Sequence, residues 1–277
     1  MKKIGIVANP RKRGAAELVP KIKGWLEKRE CQVVETYSET MENVLEGAEL
    51  IICLGGDGTL LSVAGHMKMK SIPVLGVNLG ALGFLTEVKQ EEIFEELAAF
   101  LSGVSVIEER LMLSCTVQSQ KTRNERRLLA LNDIVISREG LSRILRLEVR
   151  VSGEKITGFA GDGMIVATPT GSTAYSLSAG GAVVHPKLEA ILLTPICPHA
   201  SALRPIVVSA HEKITVRLQS GSQDPAKGLL TADGQENMEI DDSFNIEITR
   251  ANTPLRLVKS SKRSYFETLR ENFKFPA

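Results

Sequence analysis

Through the first hundred residues, short β-branched runs alternate with stretches whose apolar positions recur every three to four residues. Lys3 to Ala8 reads as a strand. Ala15 to Arg29 sets Leu18, Ile22, Trp25 and Leu26 on one helical face, with Pro20 either kinking the helix or marking its start. Gln32 to Glu35, Leu50 to Leu54 and Ile72 to Val77 read as further strands, and helices are expected from near Thr59 and near Gln90. Strands alternating with helices build a mostly parallel sheet with helices over it. After Ser102-Gly103 the texture changes to strand-sized runs broken by Gly, Ser, Asn and Pro: Leu111 to Gln118, Leu145 to Val151, Met164 to Ala167, Ile206 to Val208 and Ile214 to Leu218. Such a series favours an antiparallel sandwich or folded sheet. Within it only Ser172 to Ala179 and Lys187 to Leu193 look capable of helical turns; Tyr265 to Glu271 has helix composition again. The predicted fold class is α/β plus all-β: a Rossmann-like α/β domain over 1–103, a β-rich, sandwich-like domain over 104–258, and a segment over 259–277 packing back on the first domain.

Composition narrows the partners. The 277 residues are 43% hydrophobic and 24% charged, enough apolar material for buried cores. A net charge of +1 gives no excess for wrapping nucleic acid or lying on an anionic membrane. Apolar stretches fall well short of the ~20 residues of a membrane helix, and the apolar run after Met1 stops at Asn9-Pro10, so a cytoplasmic protein is expected. Cys31, Cys53, Cys115 and Cys197 form no CxxC pair and read as reduced, mostly buried thiols, with no zinc site suggested.

The strongest local signal is the apolar run Leu50 to Leu54 followed by Gly55-Gly56-Asp57-Gly58-Thr59-Leu60-Leu61. A strand feeding a glycine-rich turn and a helix start gathers backbone N–H groups and a positive helix end at one point, which suits phosphate. Glycines remove the Cβ atoms that would hold a phosphate off. A carboxylate there repels the ligand unless it binds Mg²⁺, takes a proton from an attacking hydroxyl, or both. The plain structural alternative is a tight turn in which Asp57 caps a helix at Thr59. Rival motifs fail: no GxxxxGK[ST] occurs, Gly56-Asp57-Gly58-Thr59-Leu60-Leu61 ends in Leu where GxGxxG needs Gly, and neither HExxH nor GxSxG is present.

Two further clusters carry polar chemistry. Asn132 and Asp133 stand directly before the apolar run Ile134-Val135-Ile136, so an amide and a carboxylate can grip the hydroxyls of a ribose; taken alone, the pair is better explained by an Asx turn opening a strand. Gly161 to Gly181 crowds small and hydroxyl residues between a strand and a candidate helix, leaving room for a flat base, although Ser/Thr-rich loops are commonly just solvated.

The ordered set GGDGTLL, NLGALGFL, LND, GDGMIVATPTGSTAYSLSAGG, HP, TPICPH and LRPIVV, from about Gly55 to Val208, resembles the ATP–NAD kinase family. The resemblance implies an N-terminal α/β domain bearing the GGDG loop, a β-rich domain holding much of a dinucleotide, and an active site in the crevice between them. The implied reaction phosphorylates the 2′-hydroxyl of the adenosine ribose of NAD, with ATP and Mg²⁺, or another divalent cation, as the usual donor system; some members also accept polyphosphate.

By that resemblance Asp57 is the catalytic aspartate and Gly55, Gly56, Gly58 and Thr59 hold donor phosphates. Phe84 borders the adenine pocket, although a Phe in an apolar stretch is more often core. Asn132 and Asp133 bind the adenosine ribose, Asp162 the nicotinamide side, and Thr173, Ala174, Tyr175 and Ser178 line the dinucleotide pocket. Asp233 and Gln235 fit a segment near the active site, but a hairpin turn explains Asp233-Gly234 as well. His185 and His199 are expected to hydrogen-bond structurally. A homo-oligomer, dimer or tetramer, is implied, with a neighbouring subunit completing part of the pocket. Two departures stand out: Ala160 and Ala81 occupy positions where members often carry basic or polar side chains. Two alternatives stay open, a lipid kinase of the diacylglycerol-kinase type and a non-catalytic NAD(P)-binding regulator.

Overall fold

A parallel sheet hides its apolar strands by taking helices on its faces, so its strands lose polar–apolar alternation. The computed structural model describes residues 1–277 except 13, 68–69, 81, 122–123, 139, 141–143, 201, 221–225 and 275–277. It divides into two units, residues 1–109 with 255–277, and residues 110–254.

In the first unit the sheet order is Gln32–Glu35, Lys3–Ala8, Leu50–Gly55, Pro73–Asn78, Leu255–Val258 and Ile107–Arg110, with Val88–Lys89 beside the end of Pro73–Asn78. Every residue of Leu50–Gly55 and Pro73–Asn78 is buried. The first helix, Ala15–Glu27, contains Pro20 in its interior, so Pro20 does not start it. Leu18, Val19, Ile22 and Leu26 from this helix join Ile4, Ile6, Leu50 and Ile52 from the strands in one core. The chain passes from Lys3–Ala8 to Gln32–Glu35 on one side and returns to Leu50–Gly55 on the other, both pairings parallel. The order therefore reverses between Lys3–Ala8 and Leu50–Gly55, and in open α/β sheets ligands bind beyond the carboxyl ends of the strands at such a point.

The strand Leu255–Val258 departs from the expected boundary. Its sequence fits either domain, but it pairs parallel with Pro73–Asn78, through Arg256 with Pro73 and Leu257 with Val74, a partner far away along the chain. The helix Tyr265–Phe273 belongs to the same unit. Ser264 and Glu267 cap it reciprocally, and the Arg263 guanidinium grips both Glu92 oxygens at 2.8 and 2.9 Å.

The second unit holds two six-stranded antiparallel sheets. One runs Glu154–Gly161, Leu145–Val151, Ile214–Leu218, Phe244–Arg250, Leu113–Ser119, Glu125–Ala130; the other runs Ile206–Ser209, Ala190–Ile196, Gly163–Ala167, Asp133–Arg138, Lys227–Ala232, Glu236–Asp241. Leu113, Cys115 and Val117 of the first sheet meet Ile134, Ile136, Met164 and Val166 of the second in one core. The second sheet is covered on its other face too, where Val135, Ile165, Ala167 and Leu192 pack with Val184.

That double covering corrects the expectation of helical turns at Lys187 to Leu193. Ala190–Ile196 is a strand with every residue buried. A strand covered on both faces shows no alternation and reads like a helix segment. The competition is decided by burial: a one-sided helix would leave about half of these side chains wet, at ~1.5–3 kcal/mol for each large apolar one.

Candidate active site

In the first unit the site starts where Leu50–Gly55 ends. The helix Asp57–His66 takes Gly56 as its N-cap, in extended backbone and with no side-chain cap. It begins two residues before the expected Thr59, so Asp57 is its first residue and does not cap it. The Asp57 carboxylate turns instead to residues 84–86. Its Oδ2 accepts from the Phe84 N–H at 2.9 Å, and its Oδ1 accepts from the N–H groups of Leu85 and Thr86 at 3.2 and 3.0 Å and from the Thr86 hydroxyl at 2.9 Å. The Thr86 hydroxyl in turn accepts from the buried Asn78 amide at 2.9 Å, and Asn78 Oδ1 accepts from the Gly80 N–H at 2.6 Å. Four donors and a second layer thus hold one carboxylate in one orientation.

The glycines explain themselves by what a Cβ would strike. On Gly83 it would run into the Asp57 carboxylate, and on Gly55 into the Thr59 side chain, whereas around Gly56 and Gly58 the space is open. The N–H groups of Asp57 and Gly58, at the helix start, have no intrahelical carbonyl to bond. Thr59 Oγ1 accepts from Asn9 Nδ2 at 3.4 Å. Phe84 is half-buried, its ring 5.5 Å from that of Phe273. Gly55, Gly56, Asp57, Gly58, Thr59 and Phe84 therefore stand together. Ala81 lies outside the described residues. Just upstream, burial pushes the Cys53 thiol far up, with the neighbouring Asp57 adding to it, so this cysteine is an inert core residue.

In the second unit Asp233 organises the other cluster. It sits in the hairpin turn between Lys227–Ala232 and Glu236–Asp241, where three residues, Asp233 to Gln235, join the paired Ala232 and Glu236, and Asp233 (φ 51°) and Gly234 (φ 61°) are both left-handed. The Asp233 carboxylate accepts from the N–H groups of Leu131 and Asn132 at 2.7 Å each and of Asp133 at 3.0 Å, while its own N–H donates to the Asp133 carbonyl at 2.9 Å. Asp233-Gly234 is thus both the hairpin turn and the support of Asn132 and Asp133. Burial pushes the Asp133 carboxyl up to about 7, with the Asp233 charge adding to it. Burial likewise raises Asp233 to about 6, against the pull of its three backbone donors. Gln235 is exposed beside the turn.

The hydroxyl-rich loop is anchored on the same turn. Thr168 donates its hydroxyl to the Leu131 carbonyl at 2.6 Å and its N–H to the Asn132 carbonyl at 2.8 Å, and accepts from the Gly171 N–H at 3.0 Å. A Cβ on Gly171 would strike the Asn132 backbone. The expected helical turns are present as Thr170–Thr173 and Tyr175–Ser178. Ser172 and Ser176 spend their hydroxyls internally, on Pro169, Val184 and Thr194. Thr173 and Ala174 are half-buried, as is Leu177 between them and Ser178, and Tyr175 and Ser178 are exposed.

Asp162 stands apart. Gly163–Ala167 pairs with Asp133–Arg138 so that Ala167 faces Asp133, which puts Asp162 about 16 Å away along the strand at roughly 3.3 Å per residue. There it pairs with Arg138 at 2.9 Å. His185 Nδ1 accepts from the Lys187 N–H, a structural bond, and the backbone N–H of His199 donates to the Ala160 carbonyl. Asn78, Thr86 and Thr168 were not identified from sequence. A hydroxyl directly after the strand Gly163–Ala167 was the available signal for Thr168; the other two act through contacts distant in sequence.

Among the described residues, no group of three or more His, Cys, Asp or Glu side chains stands together to hold a metal. Among them, too, no helix is long and apolar enough to cross a membrane.

Two family models match the chain, the ATP-NAD kinase N-terminal domain over residues 33–104 and the ATP-NAD kinase C-terminal domain over residues 131–260. An NAD kinase of Geotalea daltonii is 42% identical over 288 residues, covering 99% of each chain. One of Moorella thermoacetica is 41% identical, covering 99% of this chain and 90% of its own. Among solved structures, yeast NADH kinase complexed with NADH aligns with a TM-score of 0.91 at 25% identity, over 99% of this chain and 88% of that one. An NAD kinase from Archaeoglobus fulgidus in complex with ATP aligns with a TM-score of 0.79 at 29% identity, over 98% and 99%.

Proposed function

The chain belongs to the ATP–NAD kinase family, and from that membership we propose that it moves the γ-phosphoryl group of ATP onto the 2′-hydroxyl of the adenosine ribose of NAD, giving NADP. It is an enzyme, a kinase acting on NAD, and family membership sets the lipid-kinase reading aside. The observation that carries the mechanism is the fixed Asp57 carboxylate at the first residue of a helix, between glycines that leave the backbone open.

In the proposed step the 2′-oxygen forms a bond to the γ-phosphorus while the bond from that phosphorus to the β–γ bridging oxygen breaks. ADP leaves, and the 2′-hydroxyl proton passes to Asp57. Oδ1 already accepts three hydrogen bonds and Oδ2 one, so Oδ2 has the acceptor capacity left for that proton. The N–H groups at Asp57 and Gly58, with Gly55, Gly56 and Thr59, take the donor phosphates. On the second unit Asn132 and Asp133 bind the adenosine ribose, held in place by Asp233. Thr173, Ala174, Tyr175 and Ser178 line the dinucleotide pocket, and the distant Asp162 meets the nicotinamide end. Phe84 borders the adenine.

Mg²⁺, or another divalent cation, fits this donor set only as a passenger on the nucleotide's phosphates, because a lone carboxylate at the glycine turn is no cage; Asp57 is the protein group that would face it. When bound, the cation supplies charge neutralisation on the triphosphate. Polyphosphate is a second donor in this reading, since helix-start N–H groups read phosphate and not adenine. A dimer or tetramer is supported by Val183, Leu188 and Val207, exposed apolar residues on and near the edge strand Ile206–Ser209. Cytoplasmic placement is supported by four free cysteines, three of them buried. The test is NADP formation by purified protein given NAD, Mg²⁺ and either ATP or polyphosphate. NADP from ATP is expected; NAD binding without NADP from either donor would favour the regulator reading.

A further inference from the structure

Phosphoryl transfer places negative charge on the oxygens of the moving group, and enzymes meet it with fixed cations and N–H groups. Ala160, directly before Gly161-Asp162-Gly163, offers no such cation. The loop after the first strand supplies another source of charge.

That loop leaves Lys3–Ala8 at the point where strand order reverses, and hydrogen bonds tie it to the neighbouring loops. The Asn9 N–H donates to the Leu54 carbonyl at 3.0 Å, and the Asn9 side chain reaches Thr59. The Leu79 N–H donates to the Gly55 carbonyl at 3.1 Å, which brings the start of the loop after Pro73–Asn78 alongside the glycine turn. Asn9 then forms an Asx turn, its Oδ1 accepting from the Arg11 N–H at 3.0 Å and its carbonyl from the Lys12 N–H at 3.1 Å. This turn leaves the Lys12 side chain beside the loop after Pro73–Asn78. Its Nζ lies 3.8 Å from the point a Cβ would occupy on Gly80, two residues beyond Asn78. Among the described residues Lys12 makes no ion pair.

We propose that Lys12 is a catalytic residue of the donor half-site, its ammonium holding the outer phosphate oxygens of the donor and neutralising charge as the γ-phosphoryl group moves. It keeps its proton, and no bond to it forms or breaks. The inference rests on the kinase reading of Asp57.

The test compares Lys12→Ala and Lys12→Arg with wild type in steady-state kinetics, varying ATP and NAD separately, with NAD binding titrated without ATP. Removing a cation aimed at a developing charge is expected to lower kcat/KM for ATP by about 100-fold or more in Lys12→Ala. Lys12→Arg should keep most of the activity, and added methylammonium should restore part of it to Lys12→Ala. NAD binding and the melting temperature should stay at wild-type values, because the Lys12 side chain is exposed and makes no ion pair among the described residues. An unimpaired kcat/KM for ATP in Lys12→Ala, equal losses in both variants, or a parallel loss of NAD binding would overturn the role of Lys12 while leaving the kinase reading intact. Wild-type protein that makes no NADP would overturn both.

Discussion

Replacing Asp133 by Asn should make the protein more stable and less active. Asp133 is 5% exposed and its carboxyl is pushed from the ordinary 3.8 up to about 7, first by burial and then by Asp233. In the unfolded chain the group ionises near 3.8. The folded protein must hold the same charge in a poorly hydrated site, a cost that is full above about pH 7 and gone below the unfolded value. Wild-type stability from this group therefore rises as pH falls from 7 towards 4. At about 1.4 kcal/mol per pH unit, the cost is about 4 kcal/mol at pH 8 and about 2 kcal/mol at pH 5. Asn keeps the shape and has no charge to bury. Urea unfolding at pH 5, 6, 7 and 8 should show Asp133→Asn more stable than wild type at pH 8, with the gap narrowing towards pH 5. KM for NAD should rise in the same variant, because the carboxylate is then missing from the ribose grip. A variant less stable than wild type at pH 8, or a gap independent of pH, would refute the assignment of burial as the dominant cause.

Two further substitutions probe the first unit. Gly83→Ala drives a methyl group into the Asp57 carboxylate; loss of stability by about 1–3 kcal/mol is expected, with turnover falling far more than ATP or NAD binding, as read by calorimetric titration beside kinetics. Lys259→Ala strands the Glu87 carboxylate, which is 3% exposed and ion-paired to Lys259. Breaking one side of such a pair should cost about 3–5 kcal/mol, and Glu87→Gln added to Lys259→Ala should return most of it in urea melts.

How far the sequence reveals the site depends on the range of each contact. The strand–turn–helix around Asp57 is local, so its glycines and apolar run disclose it directly. What Asp57 touches is not local: its donors come from Phe84, Leu85 and Thr86, and nothing in Gly55 to Leu61 names them. Helix capping at Thr59 was the reasonable local solution, and the distant N–H groups displaced it. Asp233 shows the same limit from the other side. The Asp-Gly pair predicts its hairpin, but only the fold reveals that the carboxylate closes on a turn a hundred residues earlier. Leu255–Val258 has strand character in any context, and its sheet is set by Pro73–Asn78. At Ala190–Ile196 the sequence signal is truly ambiguous, because a strand buried on both faces has no period to read.

The most direct measurement of the role given to Asp57 is turnover by Asp57→Asn set against its affinity for NAD. Asn preserves shape and accepts hydrogen bonds at one oxygen, but cannot take the hydroxyl proton. We predict a fall in kcat of about 100-fold to 10,000-fold with NAD affinity close to wild type. An Asp57→Asn enzyme that forms NADP at the wild-type rate would contradict the placement of the proton acceptor at this carboxylate.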